Sequence, residues 1–180
     1  MAIYIGKSNV SGYSTASSNG YTVDFNVLMT EGTGLDLTIG VSVTTFKAGF
    51  WVTENVLGNN SWGSTGIFEV ELELDVVNIN VAARCRPVRI AIDGSITEGG
   101  QWSDWQLCDV SRVFDGGLTN PPDSPASGWT DGQKNDLVGI EWEFEKAGGA
   151  GAQAITIGTG TTANEVDSPV SEITPRNRFF

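Results

Sequence analysis

Between Ile67 and Ile92 the chain runs for twenty-six residues without a glycine and with a single proline, Pro87. Phe68, Val70, Leu72, Leu74 and Val76 alternate there with Glu69, Glu71, Glu73 and Asp75. The alternation resumes one step out of phase, as Val77, Ile79, Val81, Ala83 and Cys85 against Asn78, Asn80, Arg84 and Arg86. A period of two is that of a half-buried strand, whose successive side chains point to opposite faces. At ~3.3 Å per residue a straight run would span about 85 Å, too long for one strand of such a domain. The phase slip at Val76-Val77 predicts a β-bulge that keeps the apolar face inward, or a tight reversal near Asp75–Asn78. The reversal would bring Glu69 to Arg84 or Arg86.

Other segments carry the same period. Ile3–Ile5 is a short strand, Tyr21–Met29 a second, and Leu35–Phe46 a third with Leu35, Leu37, Ile39, Val41 and Val43 on one face. Asp93-Gly94 is a hairpin signal, because Asp-Gly supplies the positive φ angles of a type I′ turn. It would fold Val88–Ile92 against Ser95–Glu98 or onward to Trp102–Cys108. Arg112–Phe114 is short. In Leu137–Phe144 the pattern turns Val138, Ile140, Trp142 and Phe144 inward and Glu141, Glu143 and Glu145 outward. Gly148-Gly-Ala-Gly151 turns the chain into Ala154–Gly158, and any later strand signal is weak. Gly49–Gly66 reads as a loop or edge segment, and Gly116–Gly132, with Pro121, Pro122 and Pro125, as a long loop. No ten-residue segment has a helical period.

About eight strands, glycine-rich turns and no helix predict an all-β protein, an antiparallel β-sandwich of the jelly-roll kind. An immunoglobulin-like sandwich ranks second, since neither chain length nor the cysteine and tryptophan spacing suits it. Residues 1–20 read as an arm or long loop, 21–168 as the sandwich and 169–180 as a tail.

Composition narrows the chemistry. The 180 residues carry a net charge of −12, divided as −3 over residues 1–90 and −9 over residues 91–180. Nucleic acid and anionic membranes both select a basic footprint, so neither is an expected partner. No stretch reaches the ~20 apolar residues of a membrane helix. The start, Met-Ala-Ile-Tyr-Ile-Gly-Lys, lacks the charged and apolar regions of a secretion signal, and production in the cytoplasm without secretion is expected. The sequons at Asn9 and Asn59 are discounted for the same reason. Histidine is absent, which removes the Ser-His and Cys-His nucleophile schemes. Cys85 and Cys108 are the only cysteines and are expected as buried thiols.

Several constellations are candidates for chemistry. Glu141, Glu143 and Glu145 share a predicted strand face at a spacing compatible with glycoside hydrolysis, but exposed strand glutamates are ordinarily solvated. Asp93, Asp131 and Asp136 lie in turns without the regular spacing of a calcium loop. Gly158–Thr162 is glycine-rich, yet has neither the lysine nor the helix of a phosphate loop. No cofactor or metal is expected. Trp102 and Trp105 would point to opposite faces of a strand. Trp51, Trp62 and Trp129, in loop regions, form a possible ligand platform for sugar stacking. The acidic Glu69, Glu71 and Glu73 and the basic Arg84 and Arg86 give the long run a two-signed face suited to self-complementary contact. Arg176, Arg178, Phe179 and Phe180 make an unusual segment in so acidic a chain, and are read as a tether for a neighbouring subunit.

Four stretches together carry a resemblance: Val81-Ala-Ala-Arg-Cys-Arg-Pro-Val-Arg-Ile-Ala-Ile-Asp-Gly94, Trp102-Ser-Asp-Trp105, Asp136-Leu-Val-Gly-Ile-Glu-Trp-Glu-Phe144 and Ile155-Thr-Ile-Gly-Thr-Gly-Thr-Thr162-Ala-Asn-Glu-Val166. Over residues 66–167 the chain resembles the β-rich, jelly-roll-like virion structural proteins of tailed bacteriophages. The resemblance is one of strands and turns, and it implies a structural role with no catalytic residues. Its implied place is the virion surface, as a capsid decoration (cement) protein between major-capsid subunits, or in contact with other virion proteins. A homo-oligomer, with a trimer favoured, is the expected assembly. The alternative is a carbohydrate-binding receptor module of a tail fibre.

Overall fold

The computed structural model describes residues 66–90, 96–126 and 137–157, with side chains at 66–89, 98–126 and 139–157, and the backbone of seven further strands. Those seven are β1 (Ala2–Lys7), β2 (Ala16–Ser18), β3 (Tyr21–Val23), β4 (Val27–Thr30), β5 (Leu37–Val41), β6 (Thr45–Thr53) and β15 (Glu165–Ser168). The remainder are β7 (Glu69–Leu72), β8 (Leu74–Val76), β9 (Asn78–Ile90), β10 (Ile96–Gly99), β11 (Gln106–Cys108), β12 (Arg112–Phe114), β13 (Leu137–Lys146) and β14 (Gln153–Ile157). Among the described residues there is no helix, and the described part is strand-rich and antiparallel almost throughout, consistent with an all-β protein.

The long run is broken twice, at Glu73 and at Val77, and its pieces belong to different sheets. β7 and β9 lie in a ten-stranded sheet, whereas β8 pairs with β14 in a three-stranded sheet ordered β5-β14-β8. The phase slip is therefore resolved by a change of sheet on either side of β8, instead of a bulge or a reversal. Phe68, Val70, Leu72 and Leu74 are buried before it; Val81, Ala83 and Cys85 are buried after it; Val76, Val77 and Ile79 remain exposed between. Asparagine suits this corner because its side chain can bond local backbone. The Asn78 side-chain oxygen accepts from the Asn80 amide at 3.0 Å, and both Asn78 and Asn80 donate to the Gln153 side chain. Gly149, at φ 74°, turns the chain against Asn80, where an added Cβ would lie 3.0 Å from the amide carbon.

The ten-stranded sheet has the order β10-β9-β13-β6-β4-β1-β15-β7-β12, with β11 also on β9. Its pairs are antiparallel except β4 with β6. β6 continues to Thr53, past the Gly49 where a loop was predicted, because Gly49 sits inside the ladder opposite Trp142. β1, at the start of the predicted arm, is an inner strand between β4 and β15. β9 and β10 pair from Ile90 and Ile96, the pairing expected of a hairpin at Asp93-Gly94, which lies outside the described residues.

The two ends of this path meet. Phe114 on β12 packs edge-on against Trp142 on β13, with ring centroids 5.4 Å apart, although five strands separate β12 from β13 along the path. A strap, Asn120-Pro-Pro-Asp-Ser124, completes the connection inside the region predicted as a loop. Its carbonyls at Pro122, Asp123 and Asn120 accept from the amides of Phe68, Gln101 and Asp104 at 2.7–2.8 Å. The Gly100 and Ser103 amides donate in turn to Pro87 and Cys85 of β9, each at 2.8 Å. Prolines fit the strap because they set φ and lack an amide donor, leaving it to serve chiefly through its carbonyls. Backbone hydrogen bonds thus run from β9 through residues 100–104 and the strap to Phe68, beside β7.

On the inner face, large and small residues face each other. Trp142 lies opposite Cys85 and Phe144 opposite Ala83. Trp142 stacks with Phe144 at 5.9 Å, and both are buried with Phe68, Leu72, Phe114 and Ile140. Such complementary sizes across a strand pair let the side chains interdigitate in the core.

Candidate functional site

The register of β9 against β13 places Arg86 opposite Glu141 and Arg84 opposite Glu143. Alternation puts all four on the face turned away from Trp142 and Phe144. That face is not exposed: Glu141 and Glu143 are buried, which corrects the outward, solvated orientation expected of them. Each arginine donates from Nε to the Oε2 of its glutamate at 2.6 Å, and Arg84 Nη2 also reaches Glu143. The Arg86 side chain is 13% exposed and that of Arg84 29%. A third pair, Arg89 with Glu98 at 2.9 Å, ties β9 to β10.

Two tryptophans cover this ladder. Trp102 lies over both guanidinium groups, 4.8 Å from Arg84 and 4.7 Å from Arg86, and Trp105 lies 4.6 Å from Arg84. Trp102 and Trp105 were expected on opposite faces of one strand. They converge because residues 102–105 are not a strand, and period-two alternation does not apply to them. Ser103 anchors the segment, its amide bonded to the Cys85 carbonyl and its Oγ accepting from the Cys85 amide at 3.0 Å. Guanidinium planes stack well on indole faces, and their charge is attracted by the ring quadrupole. Glutamates, arginines and tryptophans together form a polar layer on the outer side of β9 and β13. It fixes their register and shields them from water.

Arg84 and Arg86 are therefore turned to β13, and not to Glu69 or to a free two-signed face. Glu69 is exposed on β7, opposite Asp167 of β15. Glu71 lies opposite Val113, and with Glu73 it lines a shallow groove shared with Leu72, Ser111, Arg112 and Val113. Trp51 is in β6, but its side chain lies outside the described residues, as do Trp62, Trp129, Asp93, Asp131 and Asp136. The sequons, the Gly158–Thr162 turn, and Arg176, Arg178, Phe179 and Phe180 lie outside them too.

The cysteines are buried free thiols. Cys108 is opposite Asn78 on β9, seven residues from Cys85. Leu107, the residue before Cys108, already lies opposite Ala82, three residues or about 10 Å along β9 from Cys85. Cys108 continues away from it, beyond the ~7 Å limit between Cα atoms for a disulfide. Burial pushes the Cys108 thiol up to about 12, only partly offset by Arg112, and burial raises Cys85 as well against its Ser103 contact. Both stay protonated at neutral pH, the inert form of a thiol.

Asp104 anchors the start of the strap. Its carboxylate accepts from the Asn120 side chain at 2.7 Å and the Asn120 amide at 3.1 Å, and these bonds hold it below its ordinary value of 3.8. A lowered carboxyl contributes stability above its unfolded value and loses it as pH falls through the folded one. The clamp should be intact above about pH 4 and weaken progressively below it. Tryptophan fluorescence across an acid titration should show an acid limb that Asp104→Asn flattens; identical limbs would show that the clamp adds nothing.

One feature lies outside the expectations drawn from alternation. Val76, Val77, Ile79, Leu107, Val110 and Val113 are between 40% and 64% exposed. The register gathers them at the corner. Cys108 pairs with Asn78, and the residues skipped between Asn78 and Ala82 bulge beside Leu107. Arg112 Nε donates to the Leu107 carbonyl at 2.9 Å, and the Leu74 amide donates to Ser111 Oγ at 3.0 Å. These bonds draw the Asp109–Ser111 turn against β8. The adjacent valines at 76 and 77, one in each phase, were the available signal, since a strand with one buried face cannot bury both. Comparison with protein-family models and with curated proteins finds no match for this chain.

Proposed function

We propose that the chain is a non-enzymatic structural protein of a tailed-phage virion, a capsid decoration protein that adds contact area between major-capsid subunits. The observation that carries this reading is the exposed aliphatic corner. Exposed apolar side chains brought to one corner of so acidic a chain favour contact with protein. The Arg84–Glu143 and Arg86–Glu141 ladder supports the same reading, because the carboxylates considered for glycoside hydrolysis are engaged within the sheet. The resemblance over residues 66–167 supplies the virion context. We read the architecture as a jelly-roll-like sandwich, supported by the joined ends of the large sheet and the separate β5-β14-β8 sheet.

Cosedimentation tests the role. The full chain mixed with emptied phage capsids should pellet with them and saturate at a fixed ratio to major-capsid subunits. A chain left in the supernatant, or one retained instead by host glycans in a manner abolished by alanine at Trp51, Trp62 and Trp129, would replace the reading with the receptor-module alternative.

A further inference from the structure

We propose that the aliphatic corner receives the segment Pro175–Phe180 of a second copy of this chain. The proposal rests on the assembly reading above and names the partner of that same surface.

The corner has a definite chemistry. Its aliphatic centre, formed by Val76, Val77, Ile79, Leu107, Val110 and Val113, is flanked by Glu71, Glu73, Asp75 and Asp109. Arg112 pairs with Asp109. A fitting occupant would be short, apolar and basic. In a chain of net charge −12, the segment Pro175-Arg-Asn-Arg-Phe-Phe180 places two arginines and two phenylalanines within six residues and contains no acid. Phenylalanines can cover the valines and isoleucine, and arginines can meet the carboxylates of the rim. Aromatic and arginine side chains are those that dominate protein contacts.

Chain direction selects a second copy over the same molecule. β15 runs antiparallel to β7, with Val166 opposite Val70 and Asp167 opposite Glu69. The chain therefore leaves β15 past the Glu69 end of β7, while the corner begins beyond its other end. Residues 169–174 extend at most about 20 Å. β15 itself points away from the molecule's own corner, and a neighbouring copy offers the same corner without a reversal. A tail-to-corner contact closes either by reciprocal exchange in a two-fold dimer or by passing round a ring such as a trimer.

Light scattering on the full chain tests this, using two variants that leave the buried core untouched. The wild type should be oligomeric at tens of micromolar. Ile79→Asp, which places a charge in the corner, and deletion of residues 175–180 should each give monomers with unchanged circular dichroism, at least tenfold weaker in self-association. Mixing these two variants should restore a heterodimer, because one supplies an intact tail and the other an intact corner. A monomeric wild type, oligomers persisting in either variant, or no heterodimer on mixing would each overturn the proposal. Oligomers that survive Ile79→Asp while capsid binding is lost would assign the corner to the capsid instead. Capsid binding is read separately: an oligomer that forms but does not sediment with capsids keeps the tail-to-corner contact and removes the virion role.

Discussion

Replacing Gly100 by alanine should lower the melting temperature by on the order of 10 °C, which differential scanning calorimetry would measure directly. An added Cβ at Gly100 would stand 2.1 Å from the Asp123 carbonyl oxygen and 2.8 Å from Pro87 Cγ. The obstacle on one side is backbone, which cannot rotate away as a side-chain end can. Asp123 is itself held by the Gln101 amide at 2.7 Å and bridges to Ile67 on its other side. Relief of the clash requires the strap to move away from Gly100, and with it the bonds that join β9 to Phe68. Overpacking costs about 1–3 kcal/mol, and a backbone obstacle places this substitution at the upper end of that range. In a domain of this length each kcal/mol corresponds to roughly 2–4 °C. An unchanged melting temperature would mean that the strap is not closely seated on residues 100–101.

The second large effect should come from cutting the ladder between β9 and β13. Glu141→Gln or Arg86→Met alone leaves one charge in a buried site without its counter-ion, and should cost about 3–5 kcal/mol. Replacing both, as Arg86→Met with Glu141→Leu, removes the stranded charge and should recover much of that loss. The Arg84–Glu143 pair should matter less, because the Arg84 side chain is more than twice as exposed as that of Arg86. Urea denaturation of the two single variants and the double variant gives the coupling directly. Additive single effects, with no recovery in the double variant, would show that the two charges do not depend on each other.

The strands of this protein were largely legible from alternation, and their partners were not. Leu137–Phe144 and Arg112–Phe114 are in place, since one apolar face repeats in each at period two. Tyr21–Met29 divides into β3 and β4, and Leu35–Phe46 into β5 and the first two residues of β6. Alternation reports which side of a strand is covered, but not by what. Glu141 and Glu143 look solvated on that criterion because their cover, Trp102 and Trp105, comes from a segment without regular period. The strap is invisible to alternation for a related reason. Asn120-Pro-Pro-Asp-Ser124 has a loop's composition, and its role depends on carbonyls, which every residue possesses. The change of sheet around β8 was visible only as a slip of phase at Val76-Val77. A slip says that the covered face changes, and leaves open whether the chain bulges, reverses or crosses to another sheet.

The placing of β1 has a consequence for how the molecule is made. Ala2–Ile5 pairs with Glu165–Ser168, partners about 160 residues apart, and β15 in turn joins β1 to β7. Until that late strand leaves the ribosome, β1 and β7 each lack a neighbour in the middle of the large sheet. Closing a contact of such separation is slow, because chain entropy opposes it until the whole intervening length can be arranged. During that interval two unpaired edges are available to other nascent chains. Synthesis therefore contains a window in which strand exchange between neighbouring polypeptides competes with folding, and it closes only when residues 165–168 insert.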